Sequence, residues 1–256
     1  MISHQYRFIY FHIPRTAGTS IEDALWRYRD HNQKGPHPQD HPDYYGRYDW
    51  HLYGFHQENF GDGSNNIKHV GERIYECASN LLAEDSHPPS HNYGVEKFES
   101  YFKFTFVRNP WDRFISLWFK FKEEPILQNQ FNTLYELSPY CDFDDMESVL
   151  RYLWLSSKKE LLLPFWFKPQ YEFIHDSNLR ILTNYVGAYE KLQFCFDFLC
   201  DRIDFPKKEL PWSEDKHRRK EKDKKHYTEF YEKRTENMIR EVYKEDIRTW
   251  GYEFGD

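Results

Sequence analysis

The stretch Tyr6-Arg7-Phe8-Ile9-Tyr10-Phe11-His12-Ile13-Pro14-Arg15-Thr16-Ala17-Gly18-Thr19-Ser20-Ile21-Glu22 constrains this chain more than any other. Its aromatic and branched residues up to His12 read as a buried strand. Pro14 and Gly18 break that strand, and a helical pattern starts at Thr19, with Ile21, Leu25 and Tyr28 at i, i+4, i+7 spacing. Thr19 and Glu22 have the spacing of a capping box. A strand, a short glycine-containing loop and a helix N-terminus together make an anion cradle, because unpaired backbone N–H groups and the positive end of the helix dipole converge there. Arg15, Thr16, Thr19 and Ser20 add donors. The plain alternative is an ordinary strand-to-helix turn capped by Thr19. No Gly-Lys-Ser/Thr follows the pattern of an ATP-type phosphate loop, which argues against a standard P-loop ATPase.

With 256 residues, the chain has the length of one ordinary domain, taken as 1–256. Its mean hydropathy of -0.93 is low. The 22 Phe, 20 Tyr and 8 Trp offset this, since each ring buries a large area. A net charge of -7 makes the protein no polycation, so any anion site has to be a local concentration of donors. Cys77, Cys141, Cys195 and Cys200 match neither a disulfide framework nor a common zinc spacing and read as buried thiols. The chain carries no basic-then-apolar leader and no run of apolar residues long enough to span a membrane, so the expectation is a soluble, cytoplasmic protein.

From Asp30 to Asn66 the sequence lacks periodicity and is dense in His, Pro, Gly, Asp, Asn and Tyr. It reads as a folded loop at the mouth of the site, its histidines (His37, His41, His51, His56) solvated rather than bound to metal. Ile67 to Val70 suggests a short strand, Glu72 to Leu82 a helix, and Asp85 to Asn92 a turn region. A second strong unit follows. Phe102 to Val107 reads as a central strand, Arg108 ends it, and Asn109, Pro110 and Asp112 announce a helix with Trp111, Ile115 and Trp118 on its buried stripe. Asp144 to Ser156, Glu190 to Ile203 and Tyr227 to Tyr243 are expected helices; Phe173 to His175 and Arg180 to Val186 are expected short strands. Lys216 to Lys225 holds seven Lys/Arg against two acids. It reads as a basic loop or solvated face, with a nucleic-acid patch as the alternative.

Two strand–loop–helix units predict an α/β fold, P-loop-like and three-layered, with a mostly parallel central sheet flanked by helices. Ligands on such sheets sit at the carboxyl ends of the strands, where the loop after His12 and Arg108 should lie. Arg108 can grip a phosphate bidentately, and Ser116, a small polar group between large apolar residues, can close the same phosphate from the side. One phosphate at the first loop and another at this pair imply a nucleotide with two separated phosphate groups.

The pair His-Ile-Pro-Arg-Thr-Ala-Gly-Thr-Ser and Phe-Val-Arg-Asn-Pro-Trp-Asp-Arg-Phe-Ile-Ser resembles the sulfotransferases that use 3′-phosphoadenosine 5′-phosphosulfate (PAPS), especially their carbohydrate branch. Weaker similarity runs through Lys68-His69, Tyr185 to Glu190, Tyr243 to Ile247 and Trp250-Gly251-Tyr252. The resemblance implies that Pro14, Arg15, Thr16, Ala17, Gly18, Thr19 and Ser20 cradle the 5′-phosphosulfate and that Arg108 and Ser116 bind the 3′-phosphate. Most members carry Lys where this chain has Arg15, which would act as a fixed cation rather than a proton donor. The implied reaction is in-line attack of an acceptor hydroxyl, on a glycan, upon sulfur, releasing 3′-phosphoadenosine 5′-phosphate (PAP) without a metal. His69 is the first choice for the base, with His56, His51 and Glu72 in reserve and His12 as a buttress of the cradle. A kinase would need acidic magnesium ligands and a loop Lys, neither of which is evident. A non-catalytic nucleotide or nucleic-acid binder is the other rival, and no nucleic-acid partner is expected.

Overall fold

The computed structural model describes residues 1–26, 70–83, 90–125, 128, 141–161, 163–210 and 225–256. They form two compact units. The first contains the described residues up to 107 and those from 172 to 210; the second contains residues from 108 to 171 and from 225 to 256.

The first unit is built on a four-stranded sheet in the order β1 (Ile2–Ser3), β2 (Phe8–Tyr10), β3 (Phe102–Val107), β4 (Tyr185–Ala188). β1 pairs antiparallel with β2, while β2, β3 and β4 are parallel, with Tyr10 opposite Phe104 and Val107 opposite Ala188. This is the mostly parallel α/β sheet that the hydrophobic runs predict. Past the end of β2, Phe11 N–H donates to the Phe104 carbonyl at 2.8 Å, and the Thr105 hydroxyl donates to the Phe11 carbonyl at 2.6 Å. A buried threonine thus holds the exit of β2 against β3.

Helices cover both faces of the sheet. On one face Phe8, Tyr10, Phe104 and Phe106 pack with Ile21 and Leu25 of α1 (Gly18–Trp26) and with Phe196 and Leu199 of α6 (Leu192–Arg202). On the other, Phe11 meets Phe98 of α3 (His91–Ser100), which in turn meets Tyr75 of α2 (Val70–Ala83). Gly94 lets α2 and α3 approach closely: a Cβ there would lie 1.9 Å from the Ser79 carbonyl oxygen. Lys103 points from β3 to the end of α3, donating to the carbonyls of Phe98, Glu99 and Tyr101 at 2.9, 3.1 and 3.0 Å. A cation at a helix C-terminus satisfies otherwise orphaned carbonyls. Its burial lowers the lysine's pKa, an effect opposed by Glu99.

The second unit is helical: α4 (Pro110–Glu123), α5 (Met146–Lys158), α7 (Lys233–Val242) and α8 (Lys244–Trp250). Trp111, Phe114, Leu117, Phe121, Val149, Leu153, Phe167, Ile239 and Tyr243 are core residues. The expected start of α4 is found, with Asn109 at the N-cap accepting from Trp111 N–H at 3.1 Å and Pro110 in the first turn.

Several expectations are corrected. Val70 opens α2 rather than closing a strand, and Ile67 to His69 lie outside the described residues, as do the loop from 30 to 66 and all but Lys225 of the basic run. α3, unassigned by the sequence reading, begins at His91, inside the expected turn region. Phe173 to His175 is not a strand: Gln170–Phe173 is a 3-10 turn, and His175 makes a single bridge with Ile181. Asp176 accepts from the N–H groups of Asn178 and Arg180 at 2.9 Å each, folding this segment into a turn and delaying the strand to Tyr185. The single helix expected over Tyr227 to Tyr243 is interrupted. A 3-10 turn, Tyr227–Phe230, is followed by extended Tyr231, and α7 restarts where Glu232 N–H donates to the Thr235 hydroxyl. Apolar periodicity carries through such a break, but a reciprocal cap does not.

Asn109 is fully buried, and its Nδ2 also donates to the Glu253 carbonyl at 2.9 Å. Asn109→Ala should therefore cost about 1–2 kcal/mol, chiefly the lost cap, since Glu253 is exposed and water can replace the bond to its carbonyl; urea denaturation measures this.

Candidate active site

The first set of predicted residues, Pro14 to Ser20, runs from the loop after β2 into the first turn of α1 in the first unit. The backbone there is strained. Arg15 and Ala17 have φ of 69° and 70°, the left-handed region that side-chain-bearing residues avoid at a cost of about 1–2 kcal/mol each. Strain of this kind persists only where the surroundings hold it, and functional loops are where it accumulates. Ile21 N–H donates to the Ala17 carbonyl at 3.1 Å, the first helical bond of α1. The N–H groups of the turn before it therefore point out of the helix N-terminus into the loop, as an anion site requires.

The donors divide by role. The Thr16 hydroxyl is turned inward: the residue is fully buried and donates to the Ile13 carbonyl at 2.9 Å, so it braces the loop and is not a side-chain donor to the cradle. Arg15 and Ser20 are half-buried and Thr19 is exposed. Thr19 lies inside α1, which begins at Gly18, so it is not the N-cap. Glu22, read as its capping-box partner, instead faces His12, with Oε1 2.7 Å from Nδ1. A carboxylate can only accept, so Nδ1 carries the proton and donates. Side-chain exposures of 16% for His12 and 9% for Glu22 make this a sheltered ion pair or hydrogen bond.

The His12 ring fills the space behind Gly18. A Cβ at that glycine would lie 2.0 Å from Cε1 and 2.4 Å from Nε2 of the imidazole. Glycine is thus required by close approach, and His12 packs against the start of α1 from behind the loop.

The second set lies in the second unit. Arg108 is the residue after β3, only 7% exposed, and its Nε and Nη2 both lie 2.7 Å from Asp112 Oδ2. The edge expected to grip a phosphate bidentately therefore engages a carboxylate that fixes the plane of the guanidinium. Ser116, 1% exposed, lies one turn beyond Asp112 on the same face of α4, since residues four apart are neighbours on a helix. Asp112 could have been found from its i+4 spacing to Arg108.

The main chain of Arg108 is held separately. Gln170 Oε1 accepts from its N–H at 2.9 Å, and Gln170 Nε2 donates to its carbonyl at 2.8 Å. Asp246, fully buried in the first turn of α8, accepts from Gln170 N–H and Tyr171 N–H at 2.8 Å each. Burial pushes the Asp246 carboxyl up to about 6, against the opposing pull of those N–H donors and of Arg113. Nothing in local spacing links 108, 170 and 246.

His69, the expected base, lies outside the described residues, as do His51 and His56. Glu72 is in the first turn of α2, where it accepts from the Ser177 hydroxyl at 2.8 Å. Among the described residues no cluster of His, Cys, Asp or Glu could hold a metal ion, and no helix is long and apolar enough to cross a membrane. Cys141, Cys195 and Cys200 are free and buried, as read from the sequence.

A strained loop on a helix N-terminus, carried by a mostly parallel sheet, defines an α/β protein of the P-loop-like kind. The family model described as "Sulfotransferase family" matches residues 1–253, and the chain belongs to that family. It is thus a transferase of the sulfuryl class, as the resemblance implies. No curated protein and no solved structure matches the chain.

Two substitutions separate strain from fit in the cradle. Gly18→Ala should lower the thermal midpoint, because the new methyl must displace His12 or the loop, while Ala17→Gly should raise it by relieving a left-handed side chain. Asp246 gives a pH signature. The folded state keeps its proton to about pH 6 and the unfolded chain releases it near 3.8, so this group's stabilising contribution is full at the acid end and falls as pH rises across that window. Asp246→Asn should flatten the slope of stability against pH between those values relative to the parent, as measured by urea denaturation.

Proposed function

We propose that this protein transfers the sulfuryl group of PAPS to a hydroxyl of a carbohydrate acceptor, acting as a single sulfotransferase domain over 1–256. The observation that carries the reading is the loop from Pro14 to Ser20. It has two side-chain-bearing residues in the left-handed region, a helix N-terminus, and a glycine whose Cβ position is filled by a histidine ring. That donor set suits the 5′-phosphosulfate in chemistry, since backbone N–H groups and a guanidinium favour an anion. The chain's membership of the sulfotransferase family supports the same assignment.

In this reading PAPS supplies an activated sulfuryl group, and the residues of the chain orient it and manage charge and protons. Arg15 neutralises charge on the 5′-phosphate oxygen that leaves sulfur. Because a guanidinium keeps its protons, it does so as a fixed cation. The helix α1 N–H groups share that load, while His12, held by Glu22, keeps the loop in place. Arg108, oriented by Asp112, binds the 3′-phosphate, with Ser116 on the same helical face. His69 accepts the proton of the acceptor hydroxyl as its oxygen bonds to sulfur. The bond between sulfur and the bridging oxygen breaks, and PAP leaves. The buried free thiols agree with a reducing, cytoplasmic setting.

Incubation with PAPS and a panel of glycans, read by mass, tests the activity: a sulfated product is expected, and its absence across the panel alongside intact PAPS would remove the carbohydrate assignment. Arg108→Ala should abolish PAP binding by calorimetry while leaving the circular dichroism spectrum unchanged. His69→Ala should retain PAP binding and reduce turnover about 10²- to 10⁴-fold; near-normal turnover moves the base elsewhere.

A further inference from the structure

The buried polar chain from Asp246 through Gln170 to Arg108 is more than a folding contact would require. Gln170 and Asp246 are both 0% exposed. The Gln170 amide makes a two-point pair with the main chain of Arg108, its oxygen taking the N–H at 2.9 Å and its nitrogen meeting the carbonyl at 2.8 Å. This replaces a rung of backbone ladder with a side chain where β3 ends. Gln170 is in turn immobilised, since its own N–H donates to Asp246 Oδ2 at 2.8 Å and its Nε2 reaches the same oxygen at 3.3 Å. Tyr171 N–H satisfies the other oxygen at 2.8 Å. Fully buried Arg113 donates to the carbonyls of Lys168 and Trp166 at 3.0 Å each, tying the adjoining stretch to α4.

A buried carboxylate and amide are costly when only stability is at stake, because apolar packing does as well or better. When satisfied at every atom, such a network instead fixes one geometry. The geometry fixed here is the backbone from which the Arg108 side chain leaves, while Asp112 sets only the far end of that side chain. We infer that Gln170 and Asp246 are positioning residues that hold the main chain of Arg108 and thereby set the protein's preference for a nucleotide bearing a 3′-phosphate. This rests on the assignment of Arg108 to that phosphate.

The prediction separates positioning from general support, because only ligands with a 3′-phosphate should feel the loss. Calorimetry with adenosine 3′,5′-bisphosphate and with adenosine 5′-monophosphate compares the parent with Gln170→Met, which keeps length and volume but makes neither hydrogen bond. The parent should prefer the bisphosphate. Gln170→Met should weaken bisphosphate binding about 10- to 100-fold, as expected for two lost buried hydrogen bonds, and leave monophosphate binding within about twofold. Asp246→Asn keeps one acceptor oxygen and should show the same selective loss at smaller size, which covers the case in which Gln170→Met does not fold. Equal weakening of both ligands, or no change in a folded variant, overturns the positioning role alone. A parent that does not distinguish the two nucleotides overturns both this inference and the assignment of Arg108.

Discussion

The parallel pairing of β2 with β3 is the contact on which the rest depends. Tyr10 opposite Phe104 sets the register, and the hydrogen bonds of Phe11 with Phe104 and Thr105 carry the pairing past the last ladder residue. Because the strands run the same way, the chain leaves both at one edge of the sheet. The loop from Pro14 to Ser20 departs after β2, and Arg108 is the residue after β3. A register slip would turn every inward ring to the other face. The stacking of Tyr10 on Phe104, 5.1 Å between centroids, is one of the packing contacts that resists it.

Rigidity in the sheet lets the cradle hold strain. Two left-handed residues would relax in a free loop, yet here Thr16 is anchored to Ile13 and the His12 ring occupies the space behind Gly18. The same economy governs the arginine that follows β3. Its guanidinium is set by Asp112 in the first turn of the following helix, and its backbone by Gln170, itself held by Asp246. Arg15 and Arg108 stand in a protein whose net charge is -7, so positive charge at these positions is local and not a property of the bulk field.

Much of this was legible from local patterns. The run from Phe102 to Val107 followed by Asn109-Pro110-Trp111-Asp112 states strand, cap and helix through the chemistry of each residue, and the structure has all three. The strand, turn and helix start between Phe8 and Trp26 were legible for the same reason, lying within twenty residues of one another. Failures came where a side chain redirects the backbone. Asp176 folds a segment that reads as strand, and Glu232 with Thr235 restarts a helix that reads as continuous. The partner of Glu22 was misassigned because spacing offered Thr19, whereas the strand end delivers His12.

By itself the sequence determined the two strand–loop–helix units, the mostly parallel α/β class, and the two motifs that resemble the family, since each is encoded by contiguous residues acting through periodicity, capping and turn chemistry. Only the tertiary structure decided which groups are turned inward and which are paired. Thr16 is a brace, His12 is bound to Glu22, and Arg108 is held through Gln170 by Asp246. The last of these joins residues far apart in the chain, and burial pushes that carboxyl up to about 6. The reason is that hydrogen-bond partnership and desolvation depend on distance in space, and contiguous pattern carries no record of it.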